Sequence, residues 1–274
     1  MEVDVILLPT LHTVRPGSVA IVIDTLRFTT TVCQALQSGA QHVCARPEIE
    51  EIRQLSENDT QENLRCGERQ CKPIEGFHLG NSPLEYTRDS VEGKGLYFTT
   101  TNGTRAIESA ESASEIWLAA LVNRRAICEK AMQLEQKSSE SSPRMEIVCA
   151  GTEGHIAFED VLAAGAILDE LTQRSEIEFG SDSAQIAWST WRSIEAAFDN
   201  DENADRFETL LESALRSALG GIHLIETGFT SDIQFAAQLD TIDLVPSNQA
   251  LETHHDWRTF TTTSPHSESA EAIQ

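Results

Sequence analysis

Basic residues are scarce in this chain of 274: 20 lysines and arginines stand against 44 aspartates and glutamates, a formal charge of −24. So acidic a surface repels phosphate backbones and anionic lipid, and neither nucleic acid nor a membrane is expected as a partner. Lysine is limited to Lys72, Lys94, Lys130 and Lys137. The remaining positive charge sits on arginine, whose planar fork grips carboxylates and phosphates through two bonds. A locally basic pocket for a small anion therefore stays open. No stretch of about 18 apolar residues occurs, which excludes a membrane-spanning helix. Met1 leads into the apolar run 3–8 without a basic leader, so no secretory signal is expected. No Cys-x-x-Cys pair exists among Cys33, Cys44, Cys66, Cys71, Cys128 and Cys149, and the expectation is free, mostly buried thiols in a reducing, cytoplasmic setting. A P-loop, a G-x-S-x-G elbow and an H-E-x-x-H helix are all missing.

Ordinary globular content is present: 40% of residues are hydrophobic and 23% charged. The run VAIVI at 19–23, closed by Asp24, has the form of a buried parallel strand. A helix follows over 31–38 with Gly39 as its C-cap, then a strand at 42–45 and a helix at 47–55. Further strands are expected at 95–99, 115–119 and 145–149, and helices at 105–109, 124–134, 159–170, 183–197 and 204–219. Such alternation predicts an α/β fold of layered αβα type with mixed sheets. The polar, Ser-rich stretch 136–144 reads as a linker between an N-terminal α/β subdomain, 1–135, and a C-terminal one, 145–246; 247–274 is expected to be a structureless tail. The two halves also echo each other. Ile147-Val148 and Gly165-Ala166 repeat Ile21-Val22 and Gly39-Ala40 at one offset of 126 residues. This is the pattern of an internal duplication, or of two strand-loop-helix units that merely share apolar residues and a glycine.

Four segments concentrate polar chemistry at expected strand ends, where α/β sheets bind ligands. In the first, Asp24 can hold a metal or act as base, Arg27 can clamp an oxyanion, and Thr29, Thr30 and Thr31 offer hydroxyls, although Thr29 alone could be an N-cap. The second joins Gly67-Glu68-Arg69 to Gly80-Asn81-Ser82, either an anion-binding nest or an ordinary turn. The third, Thr100-Thr101-Asn102-Gly103-Thr104, would be costly to bury without a polar ligand, yet it also suits a sheet edge and a turn. In the fourth, Gly151 precedes Glu159 and Asp160, which could hold a divalent cation or simply favour a helix N-terminus.

Taken in order, these motifs, with Gly76-Phe77, Leu79, Pro83, Ala164-Gly165-Ala166, Asp232-Ile233 and Val245-Pro246, resemble the 2-phosphosulfolactate phosphatase family over nearly the whole chain. The resemblance implies an α/β fold with two subdomains of related topology and an active-site cleft between them. It also implies a Mg²⁺-dependent phosphatase that releases phosphate from a small sulfonated 2-hydroxy acid, a step toward coenzyme M in methanogens. Asp24, Glu68 and Asp160, with Glu159 in reserve, are then expected at the metal; Arg27 and Arg69 would join Asp24 and Glu68 as catalytic residues by clamping the anion. Thr29, Thr30, Gly67, Gly80, Asn81, Ser82, Thr100, Thr101, Asn102, Gly103, Thr104 and Gly151 would bind substrate. A homodimer is expected. The pair Gln70-Cys71 departs from the small, glycine-like residues expected after Arg69, and Cys33 is given no role as a nucleophile. Two other readings remain: the same chemistry on another phosphorylated hydroxy acid, or a non-catalytic anion-binding module.

Overall fold

The structure, a computed structural model, describes residues 1–56, 63–137, 143–199, 207–248 and 258–263. Strands β1 (Glu2–Ile6) and β2 (Val19–Ile23) come first, then helix α1 (Phe28–Gln37), β3 (His42–Ala45), α2 (Ile49–Ser56), β4 (Asn63–Arg69) and β5 (Lys72–Pro73). The chain continues through α3 (Arg88–Val91), β6 (Gly95–Thr99), α4 (Gly103–Ser109), β7 (Glu115–Ala119) and α5 (Arg124–Lys137). The second half contains β8 (Arg144–Cys149), α6 (Phe158–Arg174), β9 (Glu178–Phe179), α7 (Asp182–Asp199), α8 (Phe207–Ser217), α9 (Leu219–Thr227), α10 (Thr230–Ala236), β10 (Val245–Ser247) and β11 (Thr259–Thr263).

All these strands join one sheet in the order β5-β4-β6-β3-β11-β10-β7-β2-β8-β1-β9. It is mixed. A parallel block, β7-β2-β8-β1-β9, and a second parallel block, β4-β6-β3, are linked through the antiparallel strands β10 and β11. Strand pairing crosses the expected division at 136–144, because β8 lies between β1 and β2. Of that expected linker, 138–142 lies outside the described residues, while Lys137 ends α5 and Arg144 opens β8.

Strict alternation in β2 explains the layers. Val19, Ile21 and Ile23 point into a core built with α5 to α10, whereas Ala20 and Val22 point into one built with α1 and α4. That second core also takes Val43 and Ala45 from β3 and Leu96 and Phe98 from β6, so both parallel blocks pack on α1. All five residues of β2 are buried, as a strand covered on both faces must be. The helix-sheet-helix layering matches the α/β expectation. All six cysteines are free, and five of them are buried.

One expectation needs correction. Within the stretch 247–274, taken as structureless, Thr259–Thr263 forms β11, pairing with β10 on one side and β3 on the other. Its β-branched threonines favour extended backbone, and Phe260 is fully buried, which outweighs the polar composition around it. The rest of that stretch, apart from Ser247, Asn248 and Arg258, lies outside the described residues.

Candidate active site

The cleft opens where the ends of β2, β4, β6 and β8 meet, with residues of both halves in its walls. Asp24 follows β2 directly. Its Oδ1 accepts the Phe28 amide at the start of α1, 3.2 Å away, and its backbone is closed on itself by Thr29: the Asp24 amide donates to Thr29 Oγ1, which donates to the Asp24 carbonyl. A Cβ at Gly103 would come 2.8 Å from Asp24 Oδ2 and 2.4 Å from the Phe28 ring, so glycine at the start of α4 is what lets this wall close on the acid.

Two more carboxylates reach Asp24 from α6. Asp160 Oδ1 accepts the Thr25 amide at 2.8 Å, and its Oδ2 accepts the Gly151 amide at 3.0 Å, so this single side chain ties the loop after β2 to the loop after β8. Glu159 lies under α9: a Cβ at Gly220 would sit 2.1 Å from Glu159 Oε1, and Glu159 Oε2 is buried without a hydrogen-bond partner. Burial, with Asp160 and Glu68 nearby, pushes the Asp24 carboxyl well above its ordinary value, up to about 8. Burial and Glu159 raise Asp160, while burial and Asp24 raise Glu159. Three acids in one buried corner repel each other, which is costly unless a proton or a cation intervenes.

The opposite wall comes from β4. Glu68 Oε1 accepts the Thr101 amide and hydroxyl at 3.1 and 3.3 Å, and Oε2 accepts the Cys71 amide at 2.8 Å. Gly67, at φ +134, passes so close to β6 that a Cβ would fall 2.0 Å from the Thr99 carbonyl. The turn between β4 and β5 places Gln70 and Cys71 at φ 53 and 62. A two-residue hairpin turn with positive φ at both positions favours Asn-Gly, so this is where glycine-like residues would be expected and two larger ones are held instead. Glu68 at the Cys71 amide and Arg27 at the Cys71 carbonyl, 3.3 Å, hold them.

Arg27 is buried, and its guanidinium is fixed from three sides. It donates to Asp232 Oδ2 at 2.7 Å, lies 4.3 Å above the Phe229 ring and reaches the Cys71 carbonyl. Ser82 donates to the other Asp232 oxygen at 2.6 Å. Asn81 lines the cleft with its Oδ1 buried and unpartnered, and Asn102 lines it beside Thr101.

Other expected site residues are turned elsewhere. Thr29 and Thr30 spend their hydroxyls on the carbonyls of Asp24 and Thr25, Thr31 on that of Asn81, and Thr104 on that of Thr100. Gly80 accepts from Tyr86, and the buried Thr100 hydroxyl has no partner. Arg69 faces away, donating to the carbonyls of Glu68 and Pro47 and to Thr99. Cys33 is fully buried, its thiol pushed up by desolvation, as expected of a packing residue. Conversely, beside Thr152 and Glu153 of the fourth segment, Gly220 and His223 line the cleft without having been singled out. The signal for the last two was the glycine pair opening α9, whose tight approach only the fold reveals.

Among the described residues, no group of three or more His, Cys, Asp or Glu side chains converges on a metal position. Mg²⁺ does not need one. It binds through one or two carboxylates, with waters and substrate phosphate completing its octahedron. Oxygen donors on crowded acids, one of them the unpartnered Glu159 Oε2, fit that demand.

Comparison with known proteins gives the chain its class, that of a phosphoric monoester hydrolase. The model of the 2-phosphosulpholactate phosphatase family matches residues 7–250. A protein of Caldanaerobacter subterraneus subsp. tengcongensis named "Probable 2-phosphosulfolactate phosphatase" is 37% identical over 240 residues, 86% of this chain and 91% of that protein. Like-named proteins of Symbiobacterium thermophilum and Deinococcus radiodurans are 36% and 37% identical, covering 84% and 90% of this chain and 91% and 93% of theirs. The chain belongs to the 2-phosphosulpholactate phosphatase family.

Proposed function

We propose that the chain hydrolyses 2-phosphosulfolactate to 3-sulfolactate and phosphate with Mg²⁺, in the cytoplasm. The observation that carries this reading is the corner formed by Asp24, Glu159 and Asp160: buried, mutually repelling carboxylates, of which Asp24 lines the same cleft as the anchored guanidinium of Arg27. Anion and cation both have a place there. Both Asp160 oxygens and both Glu68 oxygens already accept backbone amides, so these two acids shape the loops. Asp24 and Glu159 keep carboxylate oxygens free and are the residues that would hold the ion. When bound, Mg²⁺ neutralises phosphoryl oxygens and lowers the pKa of water.

Arg27 receives the phosphoryl group. Because Asp232 and the Phe229 ring fix its orientation before substrate arrives, little reorganisation accompanies charge development in the transition state. The Asn81 amide, at the cleft wall, supports the remaining oxygens. Water attacks phosphorus from the carboxylate side, and the ester oxygen leaves toward the mouth of the cleft.

Phosphate release from 2-phosphosulfolactate, 2-phospholactate and other small phosphate esters, with Mg²⁺ and with chelator, tests this. Mg²⁺-dependent release greatest on 2-phosphosulfolactate is expected. A preference for the carboxylate analogue would keep the chemistry and replace the substrate; no release from any ester would leave an anion-binding protein.

A further inference from the structure

Hydrolysis of an alkyl phosphate leaves a basic alkoxide, which needs a proton as the P–O bond breaks. The cleft offers few donors. Arg27 does not deprotonate. Glu68 and Asp160 each accept two backbone amides and are built as acceptors, while Asp24 and Glu159 are the acids assigned above to the cation. Three titratable groups at the cleft, the Cys71 thiol, Glu153 and His223, are left without such a task, and of these side-chain types imidazole is the one suited to trading protons near neutral pH.

His223 lies on α9, three residues after Gly220 and so on the same face of the helix. That face is pressed on the site: Gly220 meets the Glu159 carboxylate, and both Gly220 and His223 line the cleft. Leu219, Ile222 and Ile225 are turned outward. The His223 imidazole is half-buried, and among the described residues the ring makes no hydrogen bond, while the backbone carbonyl accepts from the Thr227 hydroxyl. A ring that reaches both the cleft and solvent can deliver a proton and be recharged from bulk water.

We propose that His223 is the general acid of this reaction, an inference that rests on the phosphatase reading above. Water adds to phosphorus as the ester P–O bond breaks, and that bond's electron pair goes to the departing oxygen. The oxygen takes the proton of the His223 imidazolium and leaves as the alcohol. The proton lost by the attacking water passes to solvent, and solvent returns one to the imidazole, so the sum is ester plus water giving alcohol plus phosphate.

The test compares His223→Asn and His223→Gln with wild type on three esters: 2-phosphosulfolactate, a trifluorinated 2-phospholactate with a less basic leaving alkoxide, and p-nitrophenyl phosphate, whose phenolate leaves without help. A general acid contributes about 10²- to 10⁴-fold, so kcat on 2-phosphosulfolactate should fall by at least about 10²-fold, less on the fluorinated ester and under about threefold on p-nitrophenyl phosphate. Equal losses on both alkyl esters, or a raised KM with kcat unchanged, would overturn the role. Wild type releasing no phosphate from any ester would instead overturn the phosphatase reading. Matching thermal unfolding of variants and wild type separates a lost proton donor from a damaged fold.

Discussion

Two strand-loop-helix segments lie next to each other in this molecule. Strand β8 pairs with β2 so that Ile147 stands beside Ile21 and Val148 beside Val22, the same offset of 126 residues at which their sequences echo each other. Beyond the strands they part. The loop from β2 to α1 is four residues long, and α1 joins the core that contains Val22; the loop from β8 to α6 is eight, and α6 joins the opposite core. Gly39 ends the turn after α1 at φ +94, whereas its counterpart Gly165 sits inside α6, where a Cβ would lie 2.0 Å from the Ala187 carbonyl. Similar sequences thus make adjacent strands and opposite layers. Because α6 starts beneath the sheet, its first-turn acids meet the loop of the other segment, and one segment contributes Asp24 and Arg27 while the other contributes Glu159 and Asp160.

The sharpest way to break this division is Asp24→Asn, which removes the acid at the junction while keeping its shape. Loss of a group central to transition-state electrostatics costs about 10³-fold, so Mg²⁺-dependent phosphate release should fall by that order, with the fold unchanged by circular dichroism. Wild-type turnover would return Asp24 to a purely structural role. Next comes Gly165→Ala. Forcing a methyl against backbone in a filled core costs about 1–3 kcal/mol, and chemical denaturation should show a loss toward the upper end. Gly39→Ala tests the other segment by a different mechanism, chiefly left-handed backbone with only the Glu92 side chain 3.3 Å from the added Cβ, at about 1 kcal/mol; a loss equal to that of Gly165→Ala would mean that the two glycines do the same work.

The pH dependence of the metal-free protein gives the smallest effect. Asp24, Glu159 and Asp160 bind protons more tightly folded than unfolded, so each carries no penalty below about pH 4 and a growing one as pH rises toward about 8. Melting temperature should therefore drop by a few degrees across that window through these groups, and Mg²⁺ should restore more of it at pH 8 than at pH 5. A drop of the same size in Asp24→Asn would show that other groups dominate.

Much of the central sheet was legible. β2, β3, β6 and β7 have the bounds that their apolar runs suggested, because strands buried on both faces leave continuous hydrophobic runs. β4, reading NLRCGER, was not: its burial depends on a neighbouring strand and on Gly67, which no local pattern announces. The helix expected over 204–219 breaks after Ser217, and α9 begins at Leu219, where Gly221 would meet the Leu215 carbonyl at 1.9 Å if it carried a side chain. In the cleft, Asp24, Arg27, Glu68, Asn81, Thr101 and Asn102 were found from motifs at strand ends. Thr29, Thr30 and Thr104 looked equally suitable, but a hydroxyl that satisfies a carbonyl one turn away is indistinguishable in sequence from one awaiting a ligand. The partner role of Asp232 depends on hydrogen bonds spanning 150 and 205 residues, and the place of His223 on the packing of α9 against Glu159, both beyond the reach of spacing rules.

Strand β11 carries a consequence for synthesis. It bridges β10 to β3, so the edge formed by residues 42–45 waits for partners at 259–263. On the ribosome, both parallel blocks emerge long before the strand that joins them, and until then the edge of β3 can pair with any passing chain. Truncating the chain before Thr259 would thus strike at soluble yield rather than chemistry, and a nascent chain stalled there would be the species most in need of a chaperone.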